Sequence, residues 1–511
     1  MKLKLDFLNS MPPSYKLPKF DIPAMVSRTK QNPTWIHMGA GNIFRILVAG
    51  AHQNLLDEGL ADTGIIVYEG FDEDIIPQAF TPYDNLTLGV TLYANGTADK
   101  RVIASIADAF CCNLSALCEV IAKPSLQMVS FTITEKGYFV DPAKVCKSPA
   151  DAVTAIEQVT AGLLARFQTG GSPIALVSMD NFAENGTKLE AAVAAVAAVW
   201  QANGHTPPEF AAYVKTVAYP WTMIDKITPR PSEEVAKLLV ADGYTDTDIS
   251  KTPKGTFVAS FVNAESAEYL IIEDCFPNGR PPLEKCGVYM TDKETVRKMD
   301  QMKVCACLNP LHTALAISGM LLNLPTIAAC MKNPQLVKLL HKVAGEALPT
   351  VVNPGIIDPK VFLNEVLTER FPNPFIPDAP ARIASDTSQK IPVRFGVTLK
   401  ERKEKGLPIA DMEGIPLVIA LWLRYRMALD DSGNPLELSP DPRLPEMLKV
   451  LDGSSLGDSS SSIDLTEILS NADQFGVNLY EVGLGKKIEA LFKELSAEPG
   501  AVSRKLSNIV E

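Results

Sequence analysis

The run Thr34-Trp35-Ile36-His37-Met38-Gly39-Ala40-Gly41-Asn42-Ile43-Phe44-Arg45 decides the fold of the N-terminal half. A short apolar strand leads directly into two glycines one residue apart, and a helical stretch continues to about Glu58. A second apolar run, residues 64–68, ends at Glu69. Strand, glycine turn, helix and strand in this order form a βαβ unit. A dinucleotide fold needs glycine where the chain leaves the first strand and where backbone must approach a pyrophosphate at a helix N-terminus. Gly39 and Gly41 supply those two positions. Phe44 occupies the third glycine position of the usual GxGxxG, so the fingerprint is incomplete, and Gly-x-Gly also occurs in purely structural turns. Glu69, 28 residues after Gly41, adds to it. A carboxylate at the end of the second strand accepts hydrogen bonds from ribose hydroxyls and repels an extra ribose phosphate, which favours NAD over NADP. Asp72 is the rival for this role, and a solvated strand-end acid is the bland alternative for both.

Outward from this turn, strand-like runs at 127–134 and 174–178 alternate with helical ones such as 188–201, which implies a mostly parallel sheet. After about Lys285 the pattern becomes helical, at 292–304, 311–322, 334–344, 416–427 and 484–495. The expected architecture is α/β: a Rossmann-like dinucleotide-binding domain over 1–285 and a mostly helical substrate and catalytic domain over 286–511. The crevice between two such cores is the default active site. A serine-rich interval, 452–462, reads as a loop.

The 511 residues are too many for one ordinary core. With 46% hydrophobic and 21% charged residues the composition is globular, which excludes wholesale disorder. Lys+Arg 48 against Asp+Glu 60 leaves a net charge of −12 with no basic block, so a nucleic-acid partner is not expected. Nine cysteines, an odd number without a paired CxxC framework, point to a reducing, cytoplasmic setting. Cys305 and Cys307 lack a matching second pair and read as small apolar residues, so no metal is expected. The N-terminus, broken early by Asp6, Asn9 and prolines, does not read as a signal peptide, and the apolar stretch 314–330 is interrupted by Asn323 and Pro325, too short to span a membrane. The expected partner is a small molecule; the oligomeric state is not legible.

Four further segments stand in order: Thr132-Ile-Thr-Glu-Lys-Gly-Tyr138, Ser178-Met-Asp-Asn-Phe-Ala-Glu-Asn-Gly186, Met223-Ile-Asp-Lys-Ile-Thr-Pro229 and Ile272-Glu-Asp-Cys-Phe-Pro-Asn-Gly-Arg-Pro281. With Lys303, Asn309-Pro-Leu-His312 and the glycine turn, the chain resembles the polyol-specific long-chain dehydrogenase/reductase family, which includes mannitol 2-dehydrogenase and the hexuronate reductases. The resemblance runs from about residue 34 to about residue 395. It implies a metal-free, nicotinamide-dependent interconversion of a secondary alcohol and a ketone on a sugar-derived chain. By the same resemblance, Gly39, Gly41, Asn42, Ile43, Phe44, Arg45 and Glu69 bind the cofactor. Lys303 matches the catalytic lysine, Asn309 and His312 its downstream partners, and Asn185 the asparagine that binds the reacting oxygen. Asp225 falls where a substrate-contacting aspartate is expected, and Asp300 where an acid able to relay protons is expected. Arg382 and Lys390 resemble a basic pair that reaches into the substrate site.

The chemistry stands without the family. Hydride transfer to a ketone places negative charge on the carbonyl oxygen, and that oxygen must gain a proton. Amide NH₂ groups of Asn185 and Asn309 can donate to it without competing as acids, Lys303 can move the proton, and His312 suits orienting a hydroxyl. Each has a structural competitor: Lys303 as a solvated face, Asn309 as a cap before a first-turn proline, His312 as a core residue, Arg382 and Lys390 as surface charges. His37, His52, His205 and His341 show no constellation and read as structural.

Two departures from the family pattern carry information. Five residues, Val304 to Leu308, separate Lys303 from Asn309 where four are expected. One extra residue turns an ideal helix by about 100° and would swing Lys303 away from His312. A π-bulge or a helix break between Lys303 and Pro310 would absorb it; a regular helix carrying Lys303 away from the site would remove its role. In the glycine turn, Ile43-Phe44 replaces a Phe-His pair associated with mannitol dehydrogenase, which shifts the expectation toward hexuronates such as fructuronate and mannonate. Mannitol or another polyol, and tagaturonate, are the alternatives, and a catalytically silent nucleotide sensor is the remote one. A hexuronate substrate would require Lys303, Arg382 and Lys390 to form a positive island.

Overall fold

The structure is a computed structural model describing residues 2–457 and 463–509. Residues 458–462 of the serine-rich interval therefore lie outside the described residues. The chain forms two compact units, Met1–Arg297 and Lys298–Glu511.

In the first unit five strands, β1 (Trp35–Met38), β2 (Ile65–Glu69), β3 (Ile106–Cys111), β4 (Met128–Phe131) and β5 (Ala175–Ser178), form one sheet. Every pairing is parallel and the order is β3-β2-β1-β4-β5, the doubly wound arrangement in which the order reverses between β1 and β4. Alternation along each strand feeds two cores. Trp35, Val67, Met128 and Val177 pack on one face, and Ile36, Tyr68, Val129 and Leu176 on the other. Both faces are covered, which is why these strands read as nearly unbroken apolar runs. The helix Asn185–Ala202 follows β5.

The parallel sheet is joined by smaller ones. The hairpin Thr87–Leu92 and Ala98–Ile103 is antiparallel and extends through Phe261–Glu265. Thr222–Asp225 pairs antiparallel with Tyr269–Glu273, which pairs in parallel with Tyr289–Thr291. That last strand, beyond residue 285, pairs within the first unit.

The second unit is helical, and its centre is Gly414–Arg426, buried at every position. A helix apolar all round belongs inside its unit. Its first turn is held by Glu346, whose carboxylate accepts from the N–H groups of Glu413, Gly414 and Ile415. Gly414 is required there: a Cβ would lie 2.7 Å from the Val343 nitrogen of the neighbouring helix Pro334–Ala347. The helical run Lys293–Leu321 is long and apolar enough to cross a membrane by length and composition, but 72% of its most apolar window is buried inside the protein. It is broken by a π-turn at Lys303–Cys307, discussed below.

Candidate active site

The glycine turn leaves the carboxyl end of β1 at the point where the strand order reverses. Gly39 has φ +108°, and a Cβ on it would sit 2.3 Å from the Thr132 carbonyl beyond β4. Close approach of two strand ends, together with backbone sign, excludes any other residue. At Gly41 a Cβ would meet nothing within 4 Å, so open space lies over the turn. Glu69 ties the turn down: Oε2 accepts from the Ala40 N–H at 2.8 Å, while Oε1 accepts from Phe71 at 2.8 Å and Asp72 at 3.0 Å. Asp72 Oδ2 accepts from the hydroxyls of Thr252 and Thr256, and its Oδ1 is buried without a partner. These glycines, the open space and the two acids fit a dinucleotide.

Beneath the turn lies a hydrogen-bond chain. The Trp35 indole can only donate, and it donates to Ser130 Oγ at 2.7 Å. Ser130 Oγ also lies 2.6 Å from His37 Nδ1, and His37 Nε2 lies 2.9 Å from Thr132 Oγ1. His37 is fully buried and stacks on Phe44 at 4.0 Å. Burial pushes its pKa down to about 3, and that of His52 down to about 4.

The surroundings of the other expected cofactor and substrate residues are as follows. Phe44 is buried against His37, so it supports the turn from below. Arg45 is 1% exposed, with Nε donating to Thr87 Oγ1 at 3.1 Å and Nη2 to the Ala259 carbonyl at 3.0 Å; these contacts staple it into the core. Asn42 and Ile43 are half-buried beside the turn. Asn185 is fully buried, and both ends of its amide are engaged. The NH₂ donates to Asp180 O and Thr222 O, each at 3.1 Å, and to Thr222 Oγ1 at 2.9 Å, while Oδ1 accepts from Gly186 and Thr222 N–H. It clasps β5 to Thr222–Asp225, and donating to a substrate oxygen would break that clasp. Asp225 is buried at the end of its strand. Asp180, not singled out in the sequence, binds the 132–138 loop through Ile133 N–H, Thr134 N–H and Tyr138 Oη.

The second unit gathers the other expected residues. Lys303, 1% exposed, opens the π-turn Lys303–Cys307, closed by Leu308 N–H to Lys303 O at 3.2 Å, five residues back. Leu308 then leaves helical geometry with φ −128° and ψ −63°, and the regular helix resumes at Asn309. Both repairs foreseen for the extra residue are present. Asp300 is half-buried one turn earlier. Burial pushes the Cys305 and Cys307 thiols up to about 12, as expected of inert apolar fillers.

The helix Asn309–Leu321 packs on Pro380–Ala384 and thereby brings Asp378, which the sequence reading missed, to His312. His312 Nε2 lies 3.0 Å from Asp378 Oδ2, an ion-pair distance whose angle does not make a linear hydrogen bond. Burial lowers the His312 pKa, partly opposed by Asp378 and reinforced by Arg394 and Arg382. Asp378 also accepts from Arg382 Nε at 2.8 Å, and its carboxyl stays below the ordinary carboxylate range despite burial. Arg382 is otherwise 67% exposed. Lys390 donates to the carbonyls of Ile383 and Ser385 at 2.9 and 2.6 Å, and burial with Arg394 and Arg382 nearby brings it down to about 8. The cations that cluster are thus Arg382, Lys390 and Arg394, the last unforeseen. Among the described residues no group of three or more His, Cys, Asp or Glu could hold a metal ion.

Open glycine turn, doubly wound sheet and a helical unit with a buried lysine on a π-turn define a dehydrogenase, and sequence comparison agrees. A model of the mannitol dehydrogenase Rossmann domain matches residues 33–285, and one of the mannitol dehydrogenase C-terminal domain matches 295–495. The chain belongs to the mannitol dehydrogenase family. It is 47% identical to a D-mannonate oxidoreductase of Thermotoga maritima, over 96% of this chain and 95% of that one. It is 30% identical to a mannitol 2-dehydrogenase of Cereibacter sphaeroides, over 80% of this chain and 84% of that one. The fold matches the Pseudomonas fluorescens mannitol 2-dehydrogenase structure with a TM-score of 0.72 at 24% identity, covering 99% of this chain and 100% of that one.

Proposed function

We propose that this protein is an NAD-dependent oxidoreductase that interconverts a ketone and a secondary alcohol on a sugar acid, the pair being D-fructuronate and D-mannonate. The observation that carries the substrate class is the cluster of Arg382, Lys390 and Arg394 in the second unit of a chain of net charge −12; the 47% identical mannonate oxidoreductase supports the pair.

Bound NAD would supply the hydride chemistry, giving hydride to the ketone from its reduced form or taking it from the alcohol in the reverse direction. Lys303 delivers the proton to the nascent alkoxide, a role typically contributing about 10²–10⁴-fold in rate. Asn309, whose carboxamide makes no hydrogen bond with the described residues, donates to the same oxygen. His312, kept neutral by burial, orients a substrate hydroxyl, and Asp378 orients His312. Asp300 passes protons toward water. Glu69 and Asp72 would hold the adenosine ribose, where their charge would favour NAD over NADP. Nine unpaired cysteines support a cytoplasmic setting.

A mannitol-type polyol 2-dehydrogenase is the second reading, favoured by the 30% identical relative. The silent-sensor reading loses its motive, since the π-turn absorbs the residue that prompted it. The test is NADH oxidation with fructuronate, tagaturonate and fructose, for the wild type and Lys303→Ala. Fructuronate reduction that collapses in the variant is expected. Unchanged activity in Lys303→Ala refutes the lysine mechanism, and turnover of fructose alone refutes the sugar-acid reading.

A further inference from the structure

Arg394 lies within the π-turn Pro392–Gly396, which packs against Lys303–Cys307. Its Nη1 donates to the Asn309 carbonyl at 3.4 Å and to Thr313 Oγ1. Nε and Nη2 have no partner among the described residues, and no carboxylate there is within ion-pair distance. Two buried arginines of this unit differ. Arg402 donates through Nε, Nη1 and Nη2 to the carbonyls of Pro408 and Glu346. Arg424 donates through all three to those of Leu495, Leu429 and Asp430. Those guanidiniums are saturated and structural. Arg394, half-buried, is held by one nitrogen and keeps one edge of its guanidinium open.

The two cations first expected to meet a carboxylate are already engaged, Arg382 with Asp378 and Lys390 with two carbonyls. We propose that Arg394 is the residue that binds the substrate carboxylate, through the parallel N–H pair of Nε and Nη2. The same edge of Arg280 grips Asp274 in this chain, with both contacts at 2.8 Å. Nη1, bound to the Asn309 carbonyl and to Thr313 one turn on, fixes that edge relative to the residues that handle the reacting oxygen. A fork–fork pair is charge-assisted and directional. A neutral ketose would leave the guanidinium unpaired, and Arg394 therefore selects sugar acids over polyols. This rests on the sugar-acid reading above.

The experiment measures kcat/KM for fructuronate and for fructose in the wild type, Arg394→Gln and Arg394→Lys. The ratio of the two values is expected to fall about 10- to 100-fold in Arg394→Gln, chiefly through KM for fructuronate. Arg394→Lys, which keeps the charge and loses the fork, should fall less, and it supplies the same ratio if Arg394→Gln does not fold. An unchanged ratio, or a parallel loss on both substrates, overturns the anchor while wild-type fructuronate activity leaves the sugar-acid reading standing. A wild type that reduces fructose but no keto-uronate overturns both.

Discussion

Acid should loosen the nucleotide-binding unit before it protonates most carboxylates, and His37 should account for a defined part of the loss. The His37 ring is fully buried, lies between Ser130 and Thr132, and has its pKa pushed down to about 3. In the unfolded chain it returns to about 6.5. Between these values the unfolded state binds a proton that the folded state refuses, so stability rises with pH across the window and is lost as pH falls from about 6.5 toward about 3. At pH 5 the gap traversed is about 1.5 units, and at about 1.36 kcal/mol per unit the loss is about 2 kcal/mol. His52, brought down to about 4 by the same cause, adds a similar loss. Together they remove about 4 kcal/mol, a large share of the 5–15 kcal/mol typical of a domain. The assay is urea denaturation at pH 8 and pH 5 for the wild type and His37→Gln. Glutamine cannot take up the proton, so the drop between the two pH values should shrink by about 2 kcal/mol, whatever the variant costs at pH 8. Carboxylate contributions are common to both proteins and cancel. An equal drop in both would refute the claim that a neutral His37 underlies the turn.

Deleting Cys305 restores the four-residue spacing and should turn Lys303–Cys307 into regular helix with Lys303 still facing its partners; NADH oxidation should stay within about tenfold of wild type, whereas inserting one alanine after Cys305 rotates Lys303 by about 100° and should cost about 10²–10⁴-fold. The opposite ranking, in proteins with wild-type melting curves, would contradict the register argument. Asp378→Asn removes the charge that opposes the fall of the His312 pKa. Any acid limb of the pH profile of kcat/KM that belongs to His312 should therefore move to lower pH, with a higher KM as His312 and Arg382 lose their common partner; an unmoved profile would separate Asp378 from His312.

The parallel sheet was legible because apolar runs bounded by glycine turns report strands buried on both faces. Trp35–Met38, Ile65–Glu69 and Ala175–Ser178 end within a residue or two of their expected limits. The hairpin Thr87–Leu92 and Ala98–Ile103 was overlooked although Asn95-Gly96 marks its turn, a strong short-range hairpin signal. The irregularity at Lys303–Cys307 was readable through spacing, since an insertion in a helix leaves few physical solutions. Asn185 and Asn309 were not distinguishable in the same way. Each is an asparagine at a helix start, and only the neighbouring strand that carries Thr222 consumes the amide of the first. Asp378 and Arg394 were out of reach for a similar reason. Their meaning lies in His312 and in Asn309, 66 and 85 residues away, and no local pattern encodes such pairings.

The four π-turns among the described residues show how the fold arranges these groups. A hydrogen bond that closes five residues back accommodates one residue more than an α-turn, and so re-aims everything beyond it by roughly the 100° that one residue represents. Phe44–Val48 follows the glycine turn, and the helical chain there carries Arg45 into the core. Lys303–Cys307 begins with the buried lysine, and Pro392–Gly396 contains Arg394. In the last case Pro392 lacks the N–H that a regular ladder would use, which lowers the cost of departing from α-geometry. The packing of Pro392–Gly396 against Lys303–Cys307 makes each irregularity depend on the other. A substitution that regularised one would displace the side chain carried by its neighbour. Lys303 and Arg394, the proposed proton donor and carboxylate anchor, are therefore coupled through backbone geometry as well as through the substrate that both would bind.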